Sequence, residues 1–174
     1  MTIQTSNEPA AFNDFEHEGW QRASGGYEQY FSQITQQTAT AMMDAAGVVA
    51  GSRALDVCTG PGVIASALAE RGAETVGLDF SSEFIARAKN NVPSAEFHQG
   101  DAQNLPFDDG SFDAVVCGYG IIHVPDPRQA LLEIRRVLNP GGRAAVSVWY
   151  ALKPTNGFGV VFGAMQAHGN LDVP

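Results

Sequence analysis

Short apolar runs alternate with amphipathic segments along most of the chain. The apolar runs are five to seven residues long and lie at Arg53–Cys58, Glu74–Asp79, Ala95–Gln99, Phe112–Cys117 and Arg143–Trp149. Helical patterns lie between them, at Val63–Glu70, Ser82–Asn90 and Arg128–Leu138, with a short irregular piece near Ala102–Asp108. Nearly continuous apolar strands separated by helices are typical of a parallel sheet that is buried on both faces. The pattern therefore predicts an α/β fold with a doubly wound sheet.

The segments on either side of this alternation predict helices. Residues 12–49 have an amphipathic helical pattern that Gly25 and Gly26 interrupt and that Gly47 ends, and residues 157–168 predict a further helix. A chain of 174 residues is long enough to bury one core. We therefore expect a single domain, residues 1–174, with a helical cap (1–50), an α/β core (51–150) and a short C-terminal helical region (151–174).

Composition narrows the possible partners and the compartment. The formal net charge is −9, and the ten Lys and Arg residues are scattered. No basic stripe is available to neutralise phosphates, which argues against nucleic acid as a partner. No run approaches the roughly 18 apolar residues that cross a bilayer. The two cysteines, each just after an apolar strand, fit free thiols better than a disulfide, so we expect a cytoplasmic protein with no membrane partner.

The turn after the first strand has the pattern of a ligand-binding loop. The strand ends near Asp56 and is followed by Gly60 and Gly62, which carry no Cβ and let a backbone approach a ligand closely. A second acid, Asp79, ends the next strand about 20 residues further on, where nucleotide-binding α/β units place a ribose-binding carboxylate. The sequence thus predicts a site for a cofactor that contains adenosine.

The sequence indicates less directly which adenosine-containing cofactor binds. Gly60 to Ala65 satisfies the dinucleotide pattern G-x-G-x-x-G/A, which alone is a weak signal for NAD. Asp56, however, occupies a position that this pattern does not need, and Asp101 and Gln103 place an acid and an amide after the third strand, suited to an adenine amine. An acidic pocket also suits a cation better than a pyrophosphate.

Taken together, the ordered motifs resemble the class I S-adenosylmethionine-dependent methyltransferases, in particular the small-molecule branch that includes the ubiquinone and menaquinone methylases. They are Asp56–Gly62, Val76–Ser81, Gly100–Phe107, Phe112–Val124 and Arg136–Gly142, and they span about residues 20–150. The resemblance implies a Rossmann-like, mostly parallel sheet with strand order 3-2-1-4-5. Cys58 stands where the family has its first glycine.

The resemblance also implies roles for individual residues toward S-adenosylmethionine, which becomes S-adenosylhomocysteine. Asp79 would bind the ribose hydroxyls, Asp101 and the Ala102 N–H the adenine, and Phe80 would pack on that ring. Asp56 and the Gly60 backbone would hold the methionine end. The remaining residues expected to line the cofactor are Cys58, Thr59, Gly62, Gln103, Cys117, Tyr119 and Tyr27.

The acceptor side is less defined by the sequence. His123 follows the fourth strand and is a candidate base, needed only if the acceptor must lose a proton. The residues Cys117 to Gly120 lack the Asn/Asp-Pro-Pro-Tyr signature of enzymes that methylate amino groups of nucleobases or glutamine, which favours a small organic acceptor. Trp20, Tyr27 and Phe31 form either a helix–core contact or a lid over the cofactor.

The family's last two strands have no counterpart in the pattern after Trp149. The fifth strand would then be an apolar edge, which proteins usually cover or pair. We expect either a fragment of a longer protein or a homodimer through this edge. Two alternatives to methyl transfer stay open, a non-catalytic S-adenosylmethionine-binding module and, with less support, an NAD-dependent oxidoreductase.

Overall fold

A computed structural model describes residues 14–22, 26, 31–149 and 167. Its helices are α1 (14–22), α2 (Ser32–Thr35), α3 (Ala39–Ala45), α4 (Val63–Glu70), α5 (Ser82–Asn91) and α6 (Pro127–Val137), with 3-10 turns at Gln36–Thr38 and Ile121–His123. Its strands are β1 (Arg53–Val57), β2 (Glu74–Asp79), β3 (Glu96–Gln99), β4 (Phe112–Gly118) and β5 (Leu138–Ser147). No helix in the described ranges is long and apolar enough to cross a membrane.

The five strands form one parallel sheet in the order β3-β2-β1-β4-β5. This confirms the predicted fold class and strand order. The chain leaves β1 toward β2 on one side and later returns to add β4 on the other, so the order reverses beside β1. Ligands of such sheets bind outside the carboxyl ends of the strands at this reversal.

Both faces of the sheet are covered, as the apolar strands predict. Residues of α3 and α4 bury one face together with Ala54 and Val116, whereas Ala130, Ile134 and Val137 of α6 pack on the other face. The helix starts follow the sequence signals. Asp126 caps α6, where its side chain accepts from the Gln129 N–H, and Pro127 occupies the first turn.

The fifth strand differs from the prediction at both of its ends. It starts at Leu138 rather than Arg143 and ends at Ser147 rather than Trp149. The Asn139–Gly142 turn is taken into the strand as an irregularity, because β4 pairs with Leu138 before it and with Arg143 after it. Glycine and proline in this turn hid the pairing from the apolar pattern.

The segment after β3 also differs, since residues 102–108 form turns without helix. In the described part of the chain β5 is an edge strand, with Val146 and Val148 exposed. The homodimer and the division of residues 1–174 into one domain stay predictions. Tyr27, Gly25 and most of the C-terminal region, including residues 157–166, lie outside the described residues.

Candidate cofactor site

Asp79 connects the ends of the two central strands. Its carboxylate is buried, with Oδ2 accepting from the Gly60 N–H (2.8 Å) and Oδ1 from the Ser81 N–H (2.9 Å). Burial raises the pKa of Asp79 from 3.8 to about 6, although these backbone donors oppose the shift. The side chain therefore fixes the glycine-rich loop against the end of β2.

Asp56 is a second buried carboxylate, at the end of β1. Its Oδ2 accepts from the Thr59 hydroxyl at 2.7 Å, and the Ala65 N–H donates to it from the first turn of α4. Burial, with a smaller contribution from the negative charge of Asp79, raises the pKa of Asp56 to about 7. Neither carboxylate has a Lys or Arg ion-pair partner in the described ranges. The crevice thus holds two acids without a neutralising cation.

The two glycines of the loop do different things. Both have positive φ, +55° at Gly60 and +88° at Gly62, a conformation that glycine adopts without steric cost. A Cβ on Gly60 would meet nothing within 4 Å, so this loop borders open space. A Cβ on Gly62 would lie 3.3–3.4 Å from Val92 and Ala88. Gly60 therefore leaves room for a ligand, whereas Gly62 allows α4 and α5 to pack.

The half-buried Cys58 and the buried Cys117 form a thiol pair beside this loop. Cys58 has φ +57°, which is uncommon for a residue with a side chain. Its side chain fills the space that a Cβ on Gly120 would need. The hydrogen bond with Cys117 and burial raise the pKa of the Cys58 thiol. Cys117 is fully buried in the core, so of this pair only Cys58 reaches the surface of the crevice.

The loop after β3 presents a more exposed polar group. Asp101 Oδ1 accepts from the Gln103 N–H at 2.8 Å, and the Gln103 amide donates to both Asp101 oxygens at 3.1 Å. The Ala102 side chain is buried in the core, which anchors the turn between them. Asp101 and Gln103 are therefore paired with each other, and their role toward adenine stays a prediction.

A partly buried ion pair on α6, between the buried Glu133 and the half-buried Arg136, supports that loop, and the sequence pattern did not predict it. Glu133 Oε2 accepts from the Leu105 N–H, and Arg136 donates to the Leu105 and Phe107 carbonyls. The guanidinium also binds Glu133 and holds the pKa of that carboxyl below its usual range. Glutamate on an otherwise apolar helix face was the available signal.

Helix α1 lies across the ends of β2 and β4. His17 packs edge-on against Phe80 at 5.3 Å, and the Ser81 hydroxyl donates to Gln21 at 3.0 Å. On the β4 side, Glu16 lies 2.8 Å from His123 Nδ1, and Trp20 packs against the same ring.

The sequence pattern predicts only part of these α1 contacts. The aromatic pattern indicates Trp20 but not Glu16, His17 or Gln21. These three polar residues lie on the same helix face as Trp20, with Glu16 and Trp20 as one i, i+4 pair and His17 and Gln21 as the other, and a search for apolar positions does not detect them.

The end of β4 carries an aromatic stack. Tyr119 has φ +63°, and its N–H donates to the Ser147 carbonyl at 3.0 Å. Its ring stacks on Trp149, with centroids 4.2 Å apart. Among the described residues no three His, Cys, Asp or Glu side chains are arranged to hold a metal ion. The β4 end of the crevice is therefore aromatic, while the β2 end is acidic.

Comparison with known proteins assigns the chain to a family. A family model described as a methyltransferase domain matches residues 55–146, more than half of the chain. The chain belongs to this family. The match begins inside β1 and ends inside β5, so it contains every strand and the loops described above. The methyltransferase membership predicted from the motifs is confirmed, and with it S-adenosylmethionine as the cofactor of the family.

One similar protein is named as a methyltransferase, and two solved structures share the fold. Demethylmenaquinone methyltransferase from Renibacterium salmoninarum is 42% identical over 106 residues, which are 61% of this chain and 45% of that protein. The crystal structure of YcgJ from Bacillus subtilis has a TM-score of 0.63 at 33% identity, covering 66% of this chain and 51% of that one. The [4+2]-cyclase SpnF has a TM-score of 0.61 at 28% identity, covering 64% and 43%. The chain spans about half the length of the curated relatives that it matches.

The residues present fit the family's cofactor. S-Adenosylmethionine combines a sulfonium cation with ribose hydroxyls and an adenine amine. Asp79 and Asp56 are buried acids that have no Lys or Arg partner in the part of the chain that the structure describes, and they match the positive charge and the hydroxyl donors of this ligand. The open space beside Gly60 gives a backbone surface for it. A buried carboxylate without a counter-ion is costly even when it is hydrogen-bonded, so a cationic ligand that also donates hydrogen bonds would lower that cost.

Proposed function

We propose that this chain binds S-adenosylmethionine and that its protein transfers the methyl group to a small organic acceptor. The observation that carries the proposal is the arrangement of Asp79 and Asp56, two buried carboxylates at neighbouring strand ends, beside a glycine loop that borders open space. The bound cofactor would supply an electrophilic methyl group. The acceptor proposal also rests on the name of the Renibacterium relative, a demethylmenaquinone methyltransferase.

The residues at the ends of β2 and β3 would hold the adenosine. Asp79 would accept hydrogen bonds from both ribose hydroxyls, in addition to the backbone donors that it already has. Asp101 would exchange its Gln103 contact for the adenine amine, with the Ala102 N–H donating to the ring and Phe80 packing on it. Gln103, released from Asp101, would line the same end.

The residues of the β1 loop would hold the methionine end. Asp56 would face the positively charged part of the ligand, with Thr59 fixing the carboxylate. The Gly60 backbone, Gly62 and Cys58 would shape the loop. Cys117, Tyr119 and Tyr27 complete the proposed lining, Cys117 by supporting Cys58 from the core.

At the β4 end, His123 is the proposed base. Methyl transfer is an in-line displacement, so most of the rate comes from positioning the two reactants. A base is required where the acceptor is a hydroxyl or a carbon acid, because its proton must leave. His123 follows β4, on the side of the crevice opposite the adenosine half, where such an acceptor would approach.

Calorimetric titration of the 174-residue chain with S-adenosylmethionine, S-adenosylhomocysteine and NAD tests the cofactor. We expect binding of both sulfur ligands, and an affinity about 10- to 100-fold lower in Asp79→Asn, because a hydrogen bond to a charged group is lost. Glu74→Gln, at the opposite, exposed end of β2, is the matched control and should bind normally. Binding of NAD alone would overturn the proposal in favour of an oxidoreductase.

A non-catalytic or non-methylating role is the second candidate. The similarity to a protein named as a [4+2]-cyclase shows that a related fold serves another reaction. Incubation with S-adenosylmethionine labelled in its methyl group and a panel of phenols and quinols distinguishes the two. Tight cofactor binding with no label transferred to any acceptor would favour the second candidate. The cytoplasmic location, the absence of a nucleic-acid partner and the homodimer stay predictions.

A further inference from the structure

One carboxylate oxygen of Glu16 is shared by two ring nitrogens. Glu16 Oε2 accepts from Trp20 Nε1 at 2.9 Å and lies 2.8 Å from His123 Nδ1. Glu16 and His123 are 107 residues apart in the chain, so this contact exists only where α1 lies against the end of β4. The Glu16 side chain is only 16% exposed and that of His123 is 31% exposed, so water competes weakly for these groups.

We infer that Glu16 is the positioning residue of His123, holding its proton on Nδ1 and leaving the lone pair on Nε2. An ionised carboxylate has no proton to donate, so the short contact requires Nδ1 to be the donor. In a neutral imidazole the other nitrogen is then the acceptor. A carboxylate that fixes the tautomer in this way prepares a histidine to take up a proton through Nε2.

Trp20 restricts the ring as well. Its indole packs edge-on against the imidazole, with centroids 4.8 Å apart and planes at 82°. Because the indole N–H can only donate, it occupies Glu16 Oε2 and holds the carboxylate in place. Helix α1 therefore sets both the tautomer and the orientation of His123.

The consequence for catalysis rests on the proposed function. A proton would pass from the acceptor to Nε2 while the acceptor's electron pair forms the new bond to the methyl carbon. The bond from that carbon to the sulfonium sulfur would break at the same time, its electron pair would stay on sulfur, and S-adenosylhomocysteine would be the leaving group. The resulting imidazolium would be stabilised by the negative charge of Glu16. His17 and Gln21 contact Phe80 and Ser81 on the cofactor side, so the same helix that completes the base also borders the adenosine half.

Long-range ¹H–¹⁵N spectra of the imidazoles test the inference without cofactor or acceptor. The full chain contains four histidines, and His123→Asn identifies the His123 signals by their loss. At mildly alkaline pH we expect His123 as the Nδ1–H tautomer. Glu16→Ala should shift it toward Nε2–H, whereas Glu16→Gln, whose amide oxygen still accepts, should retain Nδ1–H.

Glu18→Ala is the matched control, since Glu18 lies on the same helix, is exposed and forms an ion pair with Arg22 four residues further along that helix. It should leave the His123 signals unchanged. An Nε2–H tautomer in the unmodified chain, or an unchanged Nδ1–H signal in Glu16→Ala, would each overturn the inference. The amide spectrum of each variant verifies folding. Failure of S-adenosylmethionine to bind in calorimetry would contradict the proposed function while leaving this readout intact.

Discussion

The two ends of the crevice are built in different ways. At the β2 end, Asp79 and Asp56 are held by backbone and hydroxyl groups of the loops that immediately follow their own or the neighbouring strand. At the β4 end, His123 and Tyr119 are held by α1 and by Trp149, which come from distant parts of the sequence. The proposed cofactor end thus depends mainly on local chain geometry, and the proposed acceptor end depends on tertiary packing.

This difference has a functional meaning. An adenosine-bearing cofactor is the same in every member of a family, so a compact, locally encoded site suits it. Acceptors vary, and side chains brought in from other segments can change without disturbing the strand ends. Four changes would break or sharpen the contrast, and they run from the largest expected effect to the smallest.

Arg136→Ala should have the largest effect, on the β2 end. It leaves the buried Glu133 carboxylate without its partner and frees the Leu105 and Phe107 carbonyls. We expect a loss of about 3 kcal/mol in the free energy of unfolding, measured with urea. Arg135→Ala, on the exposed face of the same helix, should change it by less than about 0.5 kcal/mol. Equal effects of the two changes would show that the ion pair does not support the loop.

The pH dependence of stability and binding should report on the acidic β2 end. Burial raises the pKa of Asp79 to about 6 and that of Asp56 to about 7, both above 3.8, so the folded chain retains protons that the unfolded chain has released. Their contribution to stability is full below the unfolded pKa and is lost as pH rises through about 6 and about 7.

Affinity for S-adenosylmethionine should move the opposite way over this window, because a cation selects the ionised carboxylates. Urea unfolding and calorimetry at several pH values measure the two trends. Asp56→Asn should flatten both curves, and Glu74→Gln should leave them unchanged. An affinity that does not vary between about pH 5 and pH 8 would contradict the charge argument.

Tyr119 tests strain at the β4 end. Its φ of +63° costs a residue with a Cβ roughly 1–2 kcal/mol relative to glycine. Both Tyr119→Gly and Tyr119→Ala remove the stack on Trp149, so their difference isolates the backbone. The glycine variant should be more stable by about 1 kcal/mol in thermal unfolding. If the alanine and glycine variants are equally stable, residue 119 does not keep the left-handed conformation in solution.

Gly19→Ala should have the smallest effect, and a favourable one. Nothing lies within 4 Å of a Cβ at this position in α1, and alanine stabilises a helix by about 0.5–1 kcal/mol over glycine. Slower amide hydrogen exchange in residues 14–22 would show this stabilisation of α1. Gly77→Ala is the contrasting change, since its Cβ would lie 2.5 Å from the Phe97 ring and should destabilise the β2 end. A destabilising Gly19→Ala would show that α1 is not an ordinary helix there.

The parts of the molecule that sequence could predict are those in which neighbouring residues determine the structure. The alternation of strands and helices and the position of Asp79 at the end of β2 follow from local patterns, whereas the strand order was implied by the family resemblance. Glu16 at His123 and Gln21 at Ser81 depend on contacts across 107 and 60 residues, for which a single sequence gives no register. The start of β5 was missed because an irregular pairing with β4 takes in a turn that contains glycine and proline.

The Cys58 side chain and Gly120 compete for the same space, so the residue at one position limits which residues fit at the other. Because the Cys58 side chain fills the volume that a side chain at 120 would require, the two loops can hold only one such group between them. A substitution at 120 is then tolerated only after position 58 has become glycine. Variants of this chain that exchange the two residues must pass through the double-glycine intermediate, and so the order of the mutations, not only their identity, decides which sequences are reachable.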